Sequence, residues 1–353
     1  MDKKSTPISL GFDPAIENRA GWSRREFLRA ATVAGTAGFL GFGSETARAQ
    51  QAAKVPRIAY LGATSLTANA DRVDAFRQGL RELGYIDGKN IVIELRSAEG
   101  EQGRLPALVA ELVRLKIDII VSGGPSVTRA AKEATTTIPI VFGSDSDPVG
   151  SGVVASLARP GGNVTGLSTL APELSGKRLE LLKEIVPKLS RVAIIGNSTE
   201  PGYAQVSKEL ELAAGALKLK LQLLDVRDPK DIETAFQAAR KERADAVLLL
   251  PASVLNSHRA QVVELAVKNR LPAAYPVAQF VEAGGLMNYG PNINDLFRRA
   301  ATYVDKILKG RTPADLPVEQ PMKFDFIINL IAAKQIGLTI PPNVLVRATK
   351  VIR

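Results

Sequence analysis

The stretch Asp118-Ile-Ile-Val-Ser-Gly-Gly-Pro-Ser126 places a short apolar run between an acidic residue and a glycine-rich turn that opens a helix. The stretch Asp245-Ala-Val-Leu-Leu-Leu-Pro-Ala-Ser253 has an aspartate, an apolar run and a serine at the same spacing, without the glycines. A helical pattern follows each stretch, and then a strand that contains proline, Ile138-Pro139-Ile140 in one case and Leu271-Pro272-Ala273 in the other. This echo predicts two lobes of similar fold within one chain.

Short apolar runs alternate with amphipathic helical patterns along the chain from residue 55 onward. Ile58-Ala59-Tyr60-Leu61 is the first such run, and the same order begins again at Val192-Ala193-Ile194-Ile195. Alternation of this kind is typical of a parallel sheet covered by helices on both faces. We therefore predict an α/β fold with two similar doubly wound parallel-sheet lobes. Ligands of such sheets bind beyond the carboxyl ends of the strands, so we expect an interlobe ligand cleft.

The lobe boundaries are predicted from glycines that interrupt the helix and strand patterns, Gly166, Gly290 and Gly310. We expect residues 55–166 together with about 290–312 to form lobe 1. Residues 167–289 together with about 313–353 form lobe 2. The chain then crosses between the lobes more than once, and these crossings can act as a hinge.

The amino-terminal region has the features of an export signal. Ser23-Arg24-Arg25-Glu26-Phe27-Leu28 resembles the twin-arginine motif, and a mildly apolar stretch from Ala30 to Phe42 follows it. Ala47-Arg48-Ala49 is a small-x-small cleavage site. We interpret residues 1–49 as a twin-arginine-type signal peptide, with an ordinary basic secretory signal as the alternative. A twin-arginine passenger crosses the membrane folded, which keeps an exported enzyme among the hypotheses.

Composition excludes several classes of function. The chain has 353 residues, of which 45% are hydrophobic and 23% charged, with no cysteine and a single histidine, His258. The lack of cysteine excludes disulfides, thiolate metal sites, thiol nucleophiles and a cysteine lipid anchor, so we expect a soluble periplasmic protein. The net charge is +10, but the basic residues are scattered among acidic ones rather than clustered with aromatic residues. This pattern predicts no nucleic-acid partner.

Motifs for catalysis or cofactors are missing from the sequence. There is no phosphate-binding loop, no dinucleotide fingerprint after a strand, no zinc-protease motif and no nucleophile elbow. Asp145 and Asp147, within Gly143-Ser-Asp-Ser-Asp-Pro148, suit either a cation or a polar turn. We therefore predict no catalytic residue, no cofactor and no metal, and we expect a protein that is not an enzyme.

Small polar loops follow the predicted strands instead. Gly124-Pro125-Ser126 opens a helix, and free N–H groups at a helix start favour an anion such as a carboxylate. Asp147 follows the next strand and suits an ammonium group. Together these loops predict a small zwitterionic or amphipathic ligand, although turn and capping roles explain any one of them. The other strand-end candidates are Ser65, Asn197, Tyr203, Ser253 and Tyr275.

Six segments of the chain carry a further signal: Tyr60-Leu61-Gly62, Phe76 to Tyr85, Gly88 to Glu94, Asp147 to Val153, Leu157 to Gly166 and Lys177 to Lys183. Together they resemble the ABC-transporter substrate-binding family, in the branch that includes proteins that bind tryptophan and other aromatic amino acids. This resemblance implies a type I periplasmic-binding-protein fold with three interlobe crossings. It also implies capture of a small molecule by hinge closure and delivery to an ABC permease and its ATPase.

The resemblance also implies a set of ligand contacts on the strand-end loops. We expect a monomeric solute receptor, and we keep as alternatives an exported twin-arginine-dependent enzyme and a ligand-sensing protein of the same fold. The expected ligand-binding residues are Ser65, Gly124, Ser126, Asp147, Asn197, Tyr203, Ser253, Tyr275 and Asn288.

Overall fold

The computed structural model describes residues 54–353, which contain two β-sheets covered by helices. The predicted signal peptide, residues 1–49, lies outside the described residues. The first sheet consists of β1 (Arg57–Gly62), β2 (Val92–Ser97), β3 (Ile119–Ser122), β4 (Ile140–Asp145) and β5 (Val164–Ser168). Its strand order is β2-β1-β3-β4-β5, and every pair in it is parallel.

The second sheet has seven strands, and five of its six neighbouring strand pairs are parallel, as the echo predicts. The strands are β6 (Arg191–Gly196), β7 (Lys220–Asp225), β8 (Ala246–Leu249), β9 (Ala273–Tyr275), β10 (Met287–Pro291), β11 (Phe324–Asn329) and β12 (Lys350–Ile352). Their order is β12-β11-β10-β9-β8-β6-β7. Only β10 and β11 pair antiparallel, which the sequence pattern does not reveal. The two-lobe α/β fold class is confirmed.

Several helices begin where the sequence supplies a capping side chain or an early proline. Asp228 caps one helix in a capping box with Asp231, and Pro229 occupies its first turn. The helices are α1 (Ala70–Glu82), α2 (Leu105–Arg114), α3 (Pro125–Ala134), α4 (Ala171–Ile185), α5 (Tyr203–Leu217), α6 (Pro229–Lys241), α7 (Ser253–Ser257), α8 (Arg259–Lys268), α9 (Ala278–Glu282), α10 (Ile293–Leu308), α11 (Leu330–Gln335) and α12 (Pro342–Leu345).

Each sheet has an apolar core on both faces, because successive strand residues point to opposite sides. In β1, Tyr60 packs with Phe76 of α1 and Phe297 of α10, whereas Leu61 packs on the other face with Val109 of α2. In β6, Ile194 and Ile195 divide in the same way between the two faces of the second sheet.

The chain passes from one sheet to the other at three places within the described residues. Helix α4 follows β5 of the first sheet but packs on the second sheet. Helix α10 follows β10 of the second sheet but packs on the first. The segment after α10 then runs along β5, where the Thr165 hydroxyl donates to the Leu316 carbonyl at 2.6 Å and Ser168 N donates to the Glu319 carbonyl at 2.9 Å. It returns to the second sheet as β11.

Within residues 54–353, no helix combines the length and the apolar character that a membrane-spanning segment requires.

Candidate ligand-binding site

A cavity of about 80 Å³ lies between the two sheets. Its walls are formed by residues that follow the carboxyl ends of strands in both sheets, which is where open α/β sheets bind ligands. The lining residues from the first sheet and its helices are Ala63, Thr64, Asn69, Arg72, Gly123, Gly124, Pro125, Ser144, Ser146 and Ile293. Those that follow β5 or belong to the second sheet and its helices are Thr169, Ala171, Arg178, Glu200, Pro201, Pro251, Ala252, Ser253, Asn256, Pro276, Val277 and Pro291.

Arg178 of α4 is a buried cation in the cavity wall. Its side chain is only 2% exposed, and burial lowers the pKa of the guanidinium to about 10. Nε donates to the Tyr289 carbonyl at 2.6 Å, and Nη1 donates to the Ser175 hydroxyl at 3.2 Å. Nη2 has a long contact of 3.4 Å with the Pro276 carbonyl. No carboxylate within residues 54–353 forms an ion pair with Arg178, so its positive charge lacks a counter-charge.

Arg178 does not follow a strand, but its position in the helical pattern marks it as a candidate. Leu174, Leu181 and Ile185 share one face of α4 and are buried, and Arg178 lies on the same face at helical spacing. A charged residue in an apolar stripe is costly unless it has a partner, and it is therefore a candidate functional residue.

Glu200 is the one acidic side chain that lines the cavity in the described part of the chain. It is 7% exposed and lies in the loop between β6 and α5. Its Oε1 accepts hydrogen bonds from the backbone N–H of Ser253 and from Nε2 of Gln102, both at 2.9 Å. Gln102 precedes α2 of the first sheet, so this hydrogen bond joins the two walls of the cleft.

The wall on the side of the first sheet consists mainly of backbone and small polar groups. Asn69 precedes α1, and its Nδ2 donates to the Thr64 hydroxyl at 2.6 Å and to the Ser65 carbonyl at 3.1 Å, which fixes the loop after β1. Gly123 and Gly124 line the cavity at the start of α3. A side chain at Gly123 would lie within 3.0 Å of the Tyr60 hydroxyl and the Leu61 carbonyl, so only glycine leaves this wall undisturbed.

Asp145 lies directly behind the wall formed by Ser144 and Ser146. Its carboxylate is fully buried, and Oδ1 accepts a weak hydrogen bond of 3.3 Å from Asp147 N, whereas Oδ2 has no partner in the described residues. Burial raises the pKa of Asp145 to about 7, and the neighbouring Asp147 acts in the same direction. No cluster of three or more acidic or histidine side chains within residues 54–353 is arranged to hold a metal ion.

Two of the nine predicted ligand-binding residues, Gly124 and Ser253, line the cavity. The other candidates near the first sheet are absent from the cavity lining. The Ser65 hydroxyl accepts from Ala68 N at 3.1 Å and caps a turn. Ser126 is buried in the first turn of α3 behind Pro125. Asp147 accepts from Gly150 N at 2.9 Å within its own loop.

The four remaining predicted residues, all on the second sheet or its loops, also lie outside the cavity. Asn197 accepts from the backbone N–H and the hydroxyl of Thr199, at 2.9 and 2.7 Å. Tyr203 is partly buried against the core between the second sheet and α5. Tyr275 is fully buried and stacks on Phe280 with ring centroids 5.0 Å apart. Asn288 is buried, and its Nδ2 donates to the Tyr275 carbonyl at 3.3 Å.

Tyr275 and Asn288 belong to strands of the second sheet but do not line the cavity. Successive side chains of a strand face opposite sides of the sheet. The position of a residue at a strand end places its backbone near the cleft, but not its side chain. The single histidine, His258, contacts the carbonyl of Val254 through Nδ1 at 3.0 Å, in a capping role.

Comparison with known proteins identifies several relatives of this chain. A curated tyrosine-binding protein of Clostridioides difficile strain R20291 is 27% identical over 72% of this chain and 73% of its own length. A solved structure of a conserved domain protein from Vibrio cholerae O1 biovar El Tor is 30% identical, covers 84% of this chain and 100% of its own, and has a TM-score of 0.80. The ABC domain of Streptococcus pneumoniae in complex with L-Trp is 26% identical, with 84% and 100% coverage and a TM-score of 0.77.

The match that assigns a family covers nearly all of the described residues. The sequence model of the family described as ABC transporter substrate binding protein matches residues 58–352, a range that contains both sheets and the cavity between them. Proteins of this family bind solutes, and the family is not a class of enzymes. This chain belongs to the family of ABC transporter substrate-binding proteins.

Proposed function

We propose that this protein is the substrate-binding component of an ABC importer and that its ligand is an amino acid. Two relatives support the ligand class, since one is named a tyrosine-binding protein and another was solved with L-Trp. The observation that carries the proposal is Arg178, a buried guanidinium in the cavity wall that has no carboxylate partner among the described residues.

An amino acid supplies the groups that this cavity lacks. A buried unpaired charge is unfavourable, so a ligand carboxylate that reaches the Arg178 guanidinium gains a strong charge-assisted hydrogen bond. Arg178 has five N–H donors, and the protein occupies three of them. Glu200 lines the same cavity and offers a carboxylate to the ligand's ammonium group.

Capture is proposed to occur by closure of the two lobes. The hydrogen bond between Gln102 and Glu200 joins the lobes at the cavity, and Gly202 lies beside Asp147 where the walls meet. The three crossings, between β5 and α4, between β10 and α10, and between Glu319 and β11, serve as the hinge. The last crossing thus moves the proposed boundary of lobe 2 from about residue 313 to beyond Glu319.

We propose a periplasmic setting, which the family and the leader sequence support. A twin-arginine-type signal at residues 1–49 supports export to the periplasm, where a monomeric receptor without a lipid anchor would deliver its ligand to a membrane permease and its ATPase. Replacement of Arg24 and Arg25 by lysine is expected to retain the precursor in the cytoplasm. A normal periplasmic yield of that variant would argue for the general secretory route.

Isothermal titration calorimetry of the purified protein against the standard amino acids tests the function. We expect at least one amino acid to bind at one molecule per chain, and small-angle scattering to record a more compact shape when that amino acid is present. No binding by any amino acid would contradict the proposed ligand class. Binding without a change in shape would contradict lobe closure.

A further inference from the structure

Beside the main cavity, the one between the two sheets, lies a recess of about 10 Å³, close to the volume that one water molecule requires. Five residues line both spaces, so the recess adjoins the cavity: Thr64, Asn69, Arg72, Asn256 and Val277. Arg259 and Gln279 complete its polar wall, and Phe280 its apolar wall. The recess therefore lies within reach of the side chain of a ligand that occupies the main cavity.

Two guanidinium groups face the recess from opposite lobes. Arg72 belongs to α1 of the first lobe, and Arg259 begins α8 of the second. Burial lowers the pKa of Arg72, and the positive charge of Arg259 lowers it further, although Tyr60 and the adjacent Asp71 partly offset the effect. The two positive charges repel each other, so a closed cleft without a bound anion is unfavourable.

Neither arginine is neutralised by an ion pair within residues 54–353. The Arg72 guanidinium lies 6.0 Å from the Phe297 ring centroid, and it makes no hydrogen bond with the described chain. Arg259 donates from Nη1 to the Asn256 carbonyl at 3.3 Å. The buried side-chain oxygens of Asn256 and Gln279 have no hydrogen-bond partner there. The recess thus holds guanidinium N–H donors and positive charge without an anion.

The charges around the complete binding space do not balance for a neutral amino acid. Its ionisable lining groups in the described chain are Arg72, Arg178, Arg259 and Glu200. A ligand carboxylate matches Arg178, and a ligand ammonium matches Glu200, which leaves Arg72 and Arg259 opposed to each other. An aromatic side chain would also find no aromatic residue among those that line the main cavity.

We propose that the recess is a second anion-binding position and that the substrate is an amino acid with an acidic side chain. This inference rests on the proposed function, because it assumes that the α-carboxylate and α-ammonium groups occupy the main cavity. The side-chain carboxylate then accepts hydrogen bonds from Arg72 and Arg259. Closure of the lobes brings the two arginines together around this carboxylate, so the ligand stabilises the closed state.

Calorimetry with pairs of amino acids that differ only in side-chain charge tests this position. L-glutamate against L-glutamine and L-aspartate against L-asparagine are nearly isosteric pairs, and L-tyrosine represents a neutral aromatic ligand. We expect at least one acid to bind about tenfold or more tightly than its amide and than tyrosine, because charge-assisted hydrogen bonds are about twice as strong as neutral ones.

Arg72→Gln should reduce the affinity for the acid by a larger factor than the affinity for its amide. Arg81→Gln is the matched control, since Arg81 lies exposed on the same helix. Tighter binding of tyrosine than of either acid, or unchanged affinity for the acid in Arg72→Gln, would overturn the second anion-binding position while the proposed function stands. Failure of every amino acid to bind would overturn both.

Discussion

The two lobes of this protein are alike at the edge of their sheets far from the cleft and different at the edge that faces it. At the far edge, Asp118 Oδ2 accepts from Arg57 N at 2.8 Å, and Asp245 Oδ2 accepts from Arg191 N at the same distance. Each aspartate therefore ties the strand it precedes to the start of the neighbouring strand, β1 or β6. The echo in the sequence reflects this shared structural role.

At the cleft edge the two echoed serines have different surroundings. Ser126 is buried behind Pro125, whereas Ser253 lines the cavity and donates its backbone N–H to Glu200. The second lobe contributes both Arg178 and Glu200, and the first lobe contributes Arg72 and backbone groups. What the lobes share thus stabilises the fold, and what distinguishes them is the arrangement of charge that would recognise a ligand.

The largest effect on ligand affinity is expected from replacement of Arg178, the buried cation of the second lobe. Arg178→Met removes two charged hydrogen bonds to a ligand carboxylate, at about 1.5–3 kcal/mol each. The affinity for the amino acid that binds most tightly should fall roughly a hundredfold or more, at ~1.4 kcal/mol per tenfold. Calorimetry measures the loss, and Arg240→Met, at an exposed position on α6 of the same lobe, is the control. Equal affinities of the two variants would remove Arg178 from the site.

The next largest effect is expected on the pH dependence of stability. It arises from Asp145, the buried carboxylate behind the cavity wall of the first lobe. Its pKa of about 7 lies above the ordinary value of 3.8, so the folded protein holds a proton that the unfolded chain releases. The resulting contribution to the unfolding free energy is complete below about pH 4 and is lost as the pH rises toward 7, by up to about 4 kcal/mol.

Asp145→Asn should therefore gain stability relative to the unsubstituted protein as the pH rises from 4 to 8. Urea unfolding of the ligand-free protein at the two pH values measures this difference. A difference that does not change with pH would mean that Asp145 is ionised in the folded protein.

A smaller pH effect on stability, opposite in direction to that of Asp145, is expected from Asp245. Its burial acts to raise its pKa, but the N–H groups of Arg191 and Ser190 and the Ser190 hydroxyl outweigh burial and hold the pKa below the ordinary value. The stability that this carboxylate contributes is present above about pH 4 and is lost as the pH falls through its folded-state pKa.

Asp245→Asn should lower the unfolding free energy at pH 7 by about 1–3 kcal/mol, the effect of losing hydrogen bonds to a charged group. Asp118→Asn is the matched variant in the first lobe, and we expect a loss of similar size. If Asp118→Asn had no effect and Asp245→Asn a large one, the structural equivalence of the two lobes would be broken.

The smallest effect is expected at Ser126. Its side chain does not line the cavity, so Ser126→Ala should change the affinity for the bound amino acid by less than about twofold. A tenfold loss measured by calorimetry would return the helix start of α3 to the ligand site. It would then favour a carboxylate bound at Gly124 rather than at Arg178.

The sequence predicts the architecture better than the site, for a physical reason. Strands and helices arise from local apolar periodicity, so the alternation from Ile58 onward and the echo of Asp118 with Asp245 are sufficient for the two-lobe fold. The site depends on long-range contacts. Arg178 is oriented by the carbonyls of Tyr289 and Pro276, which belong to distant parts of the chain.

The position of a loop at a strand end does not predict which of its side chains point into the cavity. Two residues predicted from strand ends, Gly124 and Ser253, line the cavity. The strand-end argument selects Asn197 rather than Glu200 in the same loop, since the partners of Glu200 are distant in sequence: Ser253 in the same lobe and Gln102 in the other. The antiparallel pairing of β11 with β10 is likewise a tertiary feature that local periodicity does not encode.

The most direct test of the account is a crystal structure of the protein with the amino acid that binds it most tightly. The account predicts that the α-carboxylate contacts the Arg178 guanidinium and that the α-ammonium group contacts Glu200, within the interlobe cavity. An amino acid bound outside the cavity, or inside it with its carboxylate away from Arg178, would contradict the central claim.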